Sequence, residues 1–271
     1  MKQIFLLCCW LCLQATVKTD DFDPSKFDYC SMNCGKNTHT ACKCDKLEGE
    51  RTEIFDNIAT FRKTIVEEHN RLRNSLAGGG EKSKGFPTAA NMKVLNYDLE
   101  LEYIAICLGK VFYKGHDPCR HKHDSKFSGQ NLFGVSKKND TPELHRLAVR
   151  NWYNEINYVV NPAALVSKFG LSGHSKDNKA IGHFTQVIWA SITHVGCARV
   201  WIPDNPLKAY QFAIICNYGG GNGGNMAGTT VYRIGKPCSH CPDGGTCNDQ
   251  YKNLCGKSEP IPEREPYSSG V

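Results

Sequence analysis

The sequence predicts an α+β layered fold stapled by disulfides. Three observations lead there: helical periodicity fills the first half of the body, a β-hairpin pattern appears only from His194 onward, and cysteines cluster at both ends. Repeated βαβ units are absent, which argues against a doubly wound sheet.

The chain opens with Met1, Lys2 and Gln3, then the apolar run Ile4 to Leu13 and the small Ala15, the pattern of a secretory leader with cleavage between residues 15 and 19. That run is too short to cross a bilayer, which takes about 20 residues, so no membrane span is expected. A cut after Thr19 removes Cys8, Cys9 and Cys12, and fifteen cysteines become twelve. An even set in an exported chain reads as disulfides. Zinc held by the closely spaced Cys42 and Cys44, or Cys238 and Cys241, is the competing reading, but structural zinc sites of that kind suit reducing compartments. The same cut removes Lys2 and Lys18, so 33 basic against 27 acidic residues becomes 31 against 27, too mild a surplus for nucleic acid.

Residues 20–53 hold four cysteines without apolar periodicity and read as a stapled N-terminal loop. The body is expected over 54–235. Ile54, Ile58, Phe61, Ile65, His69, Leu72 and Leu76 recur at helical steps, and Gly78, Gly79 and Gly80 stop the pattern. Asp98 is placed to cap a second helix carrying Leu101, Ile104, Ala105, Leu108 and Phe112. A third has a cap at Thr141, Pro142 in its first position, Glu143 at the positive end of the dipole, and the stripe Leu144, Ala148, Trp152, Ile156. Val195 to Trp201 and Gln211 to Tyr218 flank the Pro203 to Pro206 turn cluster as a hairpin. Residues 236–257 form a cysteine-rich tail, and the Pro- and charge-rich 258–271 is expected to be disordered.

GHFTQVIWAS at Gly182 to Ser191 resembles the first signature of the CAP superfamily. AIICNYGGGNGGN at Ala213 to Asn225 resembles the second, with extra glycine that predicts a longer and looser turn. YCSMNCGKNTHTACKC at Tyr29 to Cys44, EEHNRLRN at Glu67 to Asn74, AANMKVLNYDLEL at Ala89 to Leu101, GHDPCR at Gly115 to Arg120, GQNL at Gly129 to Leu132 and WYNEI at Trp152 to Ile156 resemble the antigen 5 group of that superfamily, in order, from about Tyr29 to Gly235. The resemblance implies a three-layer α-β-α sandwich. It also implies bridges Cys30–Cys42, Cys34–Cys119 and Cys197–Cys216. A further antigen 5 bridge would use a cysteine where this chain has Phe112, so by exclusion Cys44 is expected to reach Cys107. Cys238, Cys241, Cys247 and Cys255 are left to pair among themselves.

In the family two histidines and two acidic residues meet in a cleft, and the matching positions are His116, Gln130, Glu155 and His183. Gln130 stands where many relatives have glutamate. Two neutral imidazoles can bind zinc or a similar divalent ion weakly, with affinity falling below about pH 6.5, while an amide at 130 removes a charge and a general base. The alternative makes both histidines hydrogen-bonded residues of a polar groove. His121 and His123 are expected to be solvated, His69 to be a satisfied core histidine, and Trp152 and Trp189 to be core aromatics. The Asn139 to Thr141 sequon is followed by Pro142, which leaves its glycosylation open. No HExxH or GxSxG string occurs, so catalysis is not expected and no cofactor is required.

The resemblance implies a secreted monomeric binding protein that captures small hydrophobic or amphipathic ligands, as members of the superfamily do. A venom or salivary effector acting on host channels, receptors or haemostasis is the alternative from another class, with a metal-dependent hydrolase behind it.

Overall fold

The computed structural model describes residues 22–46, 49–111, 115–170, 173–175 and 177–267. The expected leader and Phe112 lie outside the described residues. Among the described residues five α-helices and five strands carry the fold: β1 (Thr52–Glu53), α1 (Ile58–Gly78), β2 (Asn96–Tyr97), α2 (Leu99–Lys110), β3 (Gly129–Val135), α3 (Pro142–Asn154), α4 (Pro162–Ser167), α5 (Gly182–Val187), β4 (His194–Trp201) and β5 (Phe212–Gly219). Among the described residues no helix is long and apolar enough to cross a membrane.

Local chemistry sets most helix ends. The Asp98 carboxylate accepts from the Leu101 N–H and the Thr141 hydroxyl from that of Leu144, while Gly79, at φ 95°, lets its N–H turn back onto the carbonyls of Ser75 and Leu76. The first helix starts at Ile58 rather than Ile54. Thr52 and Glu53 are drawn into pairing with Trp201 and Val200, and Asn57, at φ 54°, makes the left-handed step that separates strand from helix.

The sheet runs β1-β4-β5-β3, with β2 parallel beside β4. β4 and β5 are antiparallel, and their register sets Cys197 opposite Cys216, where a disulfide joins them. Side chains alternate across this hairpin. Val195, Cys197, Phe212, Ile214, Cys216 and Tyr218 enter the large core shared with α1, α3 and α5, whereas Ala198, Val200, Ala213 and Ile215 meet Ala105, Ile106 and Leu108 of α2. The result is the α-β-α sandwich. Gly196 makes the α2 contact so close that a Cβ there would sit 2.3 Å from the Asp98 carbonyl oxygen and the Glu102 nitrogen.

α2 is buried on its outer side too. Tyr103, Ile104 and Cys107 pack against Tyr29, Ala41 and Cys44 of the N-terminal loop, so the helix is apolar nearly all round. Bridges Cys30–Cys42, Cys34–Cys119 and Cys44–Cys107 fasten that loop, and Cys238–Cys247 with Cys241–Cys255 close the tail. All twelve cysteines of the described chain are therefore disulfide sulfurs, and the tail offers zinc no thiolate.

The C-terminal segment corrects its expectation. Composition reads 258–271 as disordered, yet residues 258–267 lie against the body: Asn96 Oδ1 accepts from the Glu259 N–H at 3.0 Å, and Tyr267 is buried beside Tyr103. The cause is Arg62. Its guanidinium is fully buried, makes a two-point pair with Glu102 at 2.6 and 2.8 Å, and spends its remaining nitrogen on the carbonyls of Pro262 and Arg264, both at 2.7 Å. Burial opposes this charge, but the Glu102 carboxylate more than offsets it and holds the Arg62 pKa above its ordinary value. Deleting residues 260–271 strands those donors. Thermal and denaturant unfolding are expected to record a loss of about 2 kcal/mol, and unchanged stability would contradict the contact.

Candidate functional site

The four cleft positions come from four elements. His116 sits in the loop after α2, Gln130 on β3, Glu155 just past α3, and His183 in the first turn of α5. Three of them, His116, Gln130 and His183, line a cavity of about 390 Å³ together with Asn131, Phe169 and Gly182, while Glu155 reaches it through His183. The two imidazole centroids are 6.4 Å apart, with the rings tilted by 38°.

Each imidazole is oriented through its Nδ1. His183 Nδ1 donates to Glu155 Oε1 at 2.7 Å, and Glu155 Oε2 accepts the Phe184 N–H at 3.1 Å, so this carboxylate holds both the ring and the start of α5. His116 Nδ1 donates to Gln130 Oε1 at 2.8 Å. The Gln130 amide nitrogen in turn donates to Asp117 Oδ1 at 2.8 Å and Asn217 Oδ1 at 3.0 Å. In the neutral form of each ring this leaves the lone pair on Nε2. Although the His116 ring opens onto the cleft, the protein around it displaces enough water to lower its pKa, and the positive charge of Arg120 adds to that while the Gln130 bond opposes it.

A second layer hangs these groups on the core. Asn131 Nδ2 donates to the His183 carbonyl at 3.1 Å and to Tyr218 Oη at 3.2 Å; the Tyr218 hydroxyl donates to His69 Nε2 at 2.8 Å, and His69 Nδ1 donates to the Ile65 carbonyl at 2.8 Å. His69 is thus a satisfied core residue. Asn131 Oδ1 is buried without a partner among the described residues. Trp152 and Trp189 are buried, the former donating to the Leu132 carbonyl at 2.9 Å.

Two expectations change. His123 is not simply solvated, because its Nδ1 pairs with the buried Glu100 at 2.8 Å and its ring stacks on Phe22 at 3.9 Å; the His121 carbonyl accepts from His39 Nε2 at 2.8 Å. A buried carboxylate such as Glu100 needs such partners. The glycine-rich turn after β5 is not loose either. Gln186 Nε2 donates to the Gly223 carbonyl at 3.0 Å, and Asn225 accepts from the Thr185 hydroxyl and donates to the Gly182 carbonyl, both at 2.7 Å. Close backbone approach is what those glycines permit: a Cβ on Gly224 would lie 2.5 Å from the Gln186 amide.

Among the described residues neither cleft imidazole meets a serine hydroxyl, and no thiol is free. Other groupings of potential ligand atoms, Cys34 with Cys119 and His121, and Cys238 with Cys241 and Cys255, consist mainly of disulfide sulfur. The arrangement can orient donors and lone pairs around a ligand.

An α-β-α sandwich with this cleft defines a class. The family model described as CAP, the cysteine-rich secretory protein family, matches residues 66–218, and the chain belongs to that family. Its relatives make it venom-allergen-like. Scoloptoxin SSD552 of Scolopendra dehaani is 34% identical over 199 residues, covering 73% of this chain and 84% of that one. Venom allergen-1 of Aedes albopictus is 31% identical, with coverage of 86% and 89%. Venom allergen 5 of Tityus serrulatus is 33% identical over 79% of this chain, which spans about half of that relative's length, 49%. Among solved structures, NaASP2 with Zn2+ is 30% identical with a TM-score of 0.56, covering 73% of this chain and 95% of that one; Na-ASP-1 is 29% identical with a TM-score of 0.58, over 79% and 49%.

Burial lowers the His69 pKa to about 4. The unfolded side chain titrates near 6.5, so the stability this neutral histidine contributes is complete above that pH and is lost as pH falls toward and through 4. The difference corresponds to about 3 kcal/mol. Denaturant unfolding at several pH values is expected to show that extra acid loss in the wild type and not in His69→Gln. Equal slopes in the two proteins would refute it.

Proposed function

We propose that this chain is an extracellular binding protein whose cleft takes a small amphipathic ligand and a weakly held divalent cation through Nε2 of His116 and His183. One observation carries the reading: both imidazoles have committed Nδ1 to a neighbour inside the protein, which leaves two oriented lone pairs and no proton to donate. Asn131 also lines the cleft, and it braces His183 by donating to its carbonyl at 3.1 Å. Phe169 and Ala180 supply apolar surface beside the imidazoles, which suits a ligand with a polar head. Secretion agrees with the leader-like first residues and with six disulfides.

The same geometry argues for weak rather than structural metal binding. With nitrogen about 2.0 Å from zinc, tetrahedral coordination brings two ring centroids to roughly 5.2 Å. The observed 6.4 Å requires the rings to close on the ion. A bound cation would polarise a ligand oxygen or water. Hydrolysis would also need a base, and Glu155 is taken by His183 and the Phe184 N–H while Gln130 cannot accept a proton at neutral pH.

Calorimetric titration with Zn2+ tests this. Weak binding is expected in the wild type, reduced at least about tenfold when His116 and His183 are both changed to alanine. Affinity is expected to fall with acid, although His116 keeps its lone pair to lower pH than an ordinary imidazole because burial lowers its pKa. Unchanged affinity in the double variant would remove the cleft from consideration.

A further inference from the structure

The geometry points to Asp117 as the positioning residue of the cleft: acting through Gln130, it fixes His116 as the Nδ1–H tautomer and so aims the Nε2 lone pair at the ligand. The consequence for binding rests on the cation reading above; the positioning itself does not.

A carboxylate can only accept, so Glu155 fixes its histidine without help. An amide has two unlike ends. Gln130 would present its NH2 to His116 as readily as its carbonyl, and the ring would then have to turn its own lone pair toward Nδ1. What selects the observed orientation is the far side of the amide. Asp117 Oδ1 and Asn217 Oδ1, at 2.8 and 3.0 Å, are both acceptors facing Nε2. Asn217 is itself oriented by donating Nδ2 to the Leu101 carbonyl at 3.2 Å. Turning the amide over would set its oxygen against two oxygens with no proton between them.

Asp117 is held for this task. It is buried, its Oδ2 accepts from the Thr40 hydroxyl, and its Oδ1 lies 3.3 Å from Arg120 Nη1. The Cys34–Cys119 bridge and the bond from the Thr40 N–H to the Cys119 carbonyl at 2.9 Å fix the loop on which both Asp117 and His116 ride. Residues 117 and 130 are therefore matched. A glutamate at 130 would press a second carboxylate against Asp117, where both cannot stay ionised, whereas an amide bridges imidazole and carboxylate with every proton assigned.

Long-range proton–nitrogen spectra of the metal-free full chain at about pH 8, where imidazoles are neutral, read the tautomer directly, with His116 assigned by its loss in His116→Ala. The wild-type ring is expected as the Nδ1–H form, and an Nε2–H ring would overturn the proposal without any variant. Asp117→Asn lets the amide turn over, so a mixed or inverted tautomer is expected, with zinc affinity down by about tenfold or more. The exchange Asp117→Asn with Gln130→Glu moves the carboxylate next to His116, where it can only accept, and is expected to return the ring to the Nδ1–H form. A ring that remains wholly Nδ1–H in Asp117→Asn sinks the positioning role. If the wild type takes up no zinc while the tautomer follows residue 117, the positioning role stands and the cation reading fails.

Discussion

The guanidinium of Arg73 is fully buried and meets no carboxylate among the described residues, and much of the fold is arranged around solvating it with backbone carbonyls. It donates to Lys93 at 3.0 and 2.6 Å, to Val187 at 2.8 Å, to Trp189 at 2.9 Å and to Ile192 at 3.4 Å. Burial lowers its pKa to about 9, which still leaves it charged at neutral pH. Three of these acceptors lie at or just past the end of α5, where a helix has orphan carbonyls and a negative dipole end. α5 has only six residues and would not persist alone. One helix, α1, thus secures α5 at its exit through Arg73 and near its entry through His69, Tyr218, Asn131 and the His183 carbonyl. The cleft imidazole is suspended between the two.

The same helix draws in the rest of the chain through Arg62. Its pair with Glu102 ties α1 to α2, and Tyr97 Oη, donating to Glu102 Oε2 at 2.6 Å and accepting the Cys197 N–H at 3.0 Å, extends the knot to β4. A buried ion pair is rarely stabilising against an apolar replacement, but leaving one member unpaired costs several kcal/mol, so such a knot selects one arrangement. From the opposite side the N-terminal loop covers α2, fastened by bridges that span 85 and 63 residues. In the chain-entropy model closures of that length restrict the unfolded state by about 4.5 kcal/mol each, though nested loops do not add.

What could be read from sequence follows from how local each signal is. The caps at Asp98 and Thr141, the Gly79 stop and the β4–β5 hairpin depend on residues a few positions apart, and their patterns were legible. β3 was not. Gln130 and Asn131 put polar atoms where a buried strand would alternate, because they serve the cleft and the second layer behind it, and Gly129 and Gly134 break the run further. Polar side chains committed to hydrogen bonds inside the fold erased the periodicity that would have revealed the strand. Arg62 and Arg73 were equally silent, since a cation between apolar helix positions reads as solvent-facing until its carbonyl partners, more than a hundred residues away for Val187 and Pro262, are known. The packing of 258–267 was missed for the same reason, as composition cannot see a buried guanidinium waiting for acceptors.

The two halves of the cleft differ electrically, and the difference originates in the outer shell of the fold. His183 rests directly on a carboxylate supplied by the end of α3. His116 rides on a loop that the N-terminal segment must hold down, and Asp117 serves that anchoring by accepting from Thr40 and facing Arg120. Once a buried carboxylate occupies that place, a second one at 130 would repel it at hydrogen-bond distance. An amide resolves the conflict by donating to one side and accepting from the other. The cleft consequently carries an amide beside one imidazole and a carboxylate beside the other, so the charge at its centre is set by how the stapled loop is fastened at its edge.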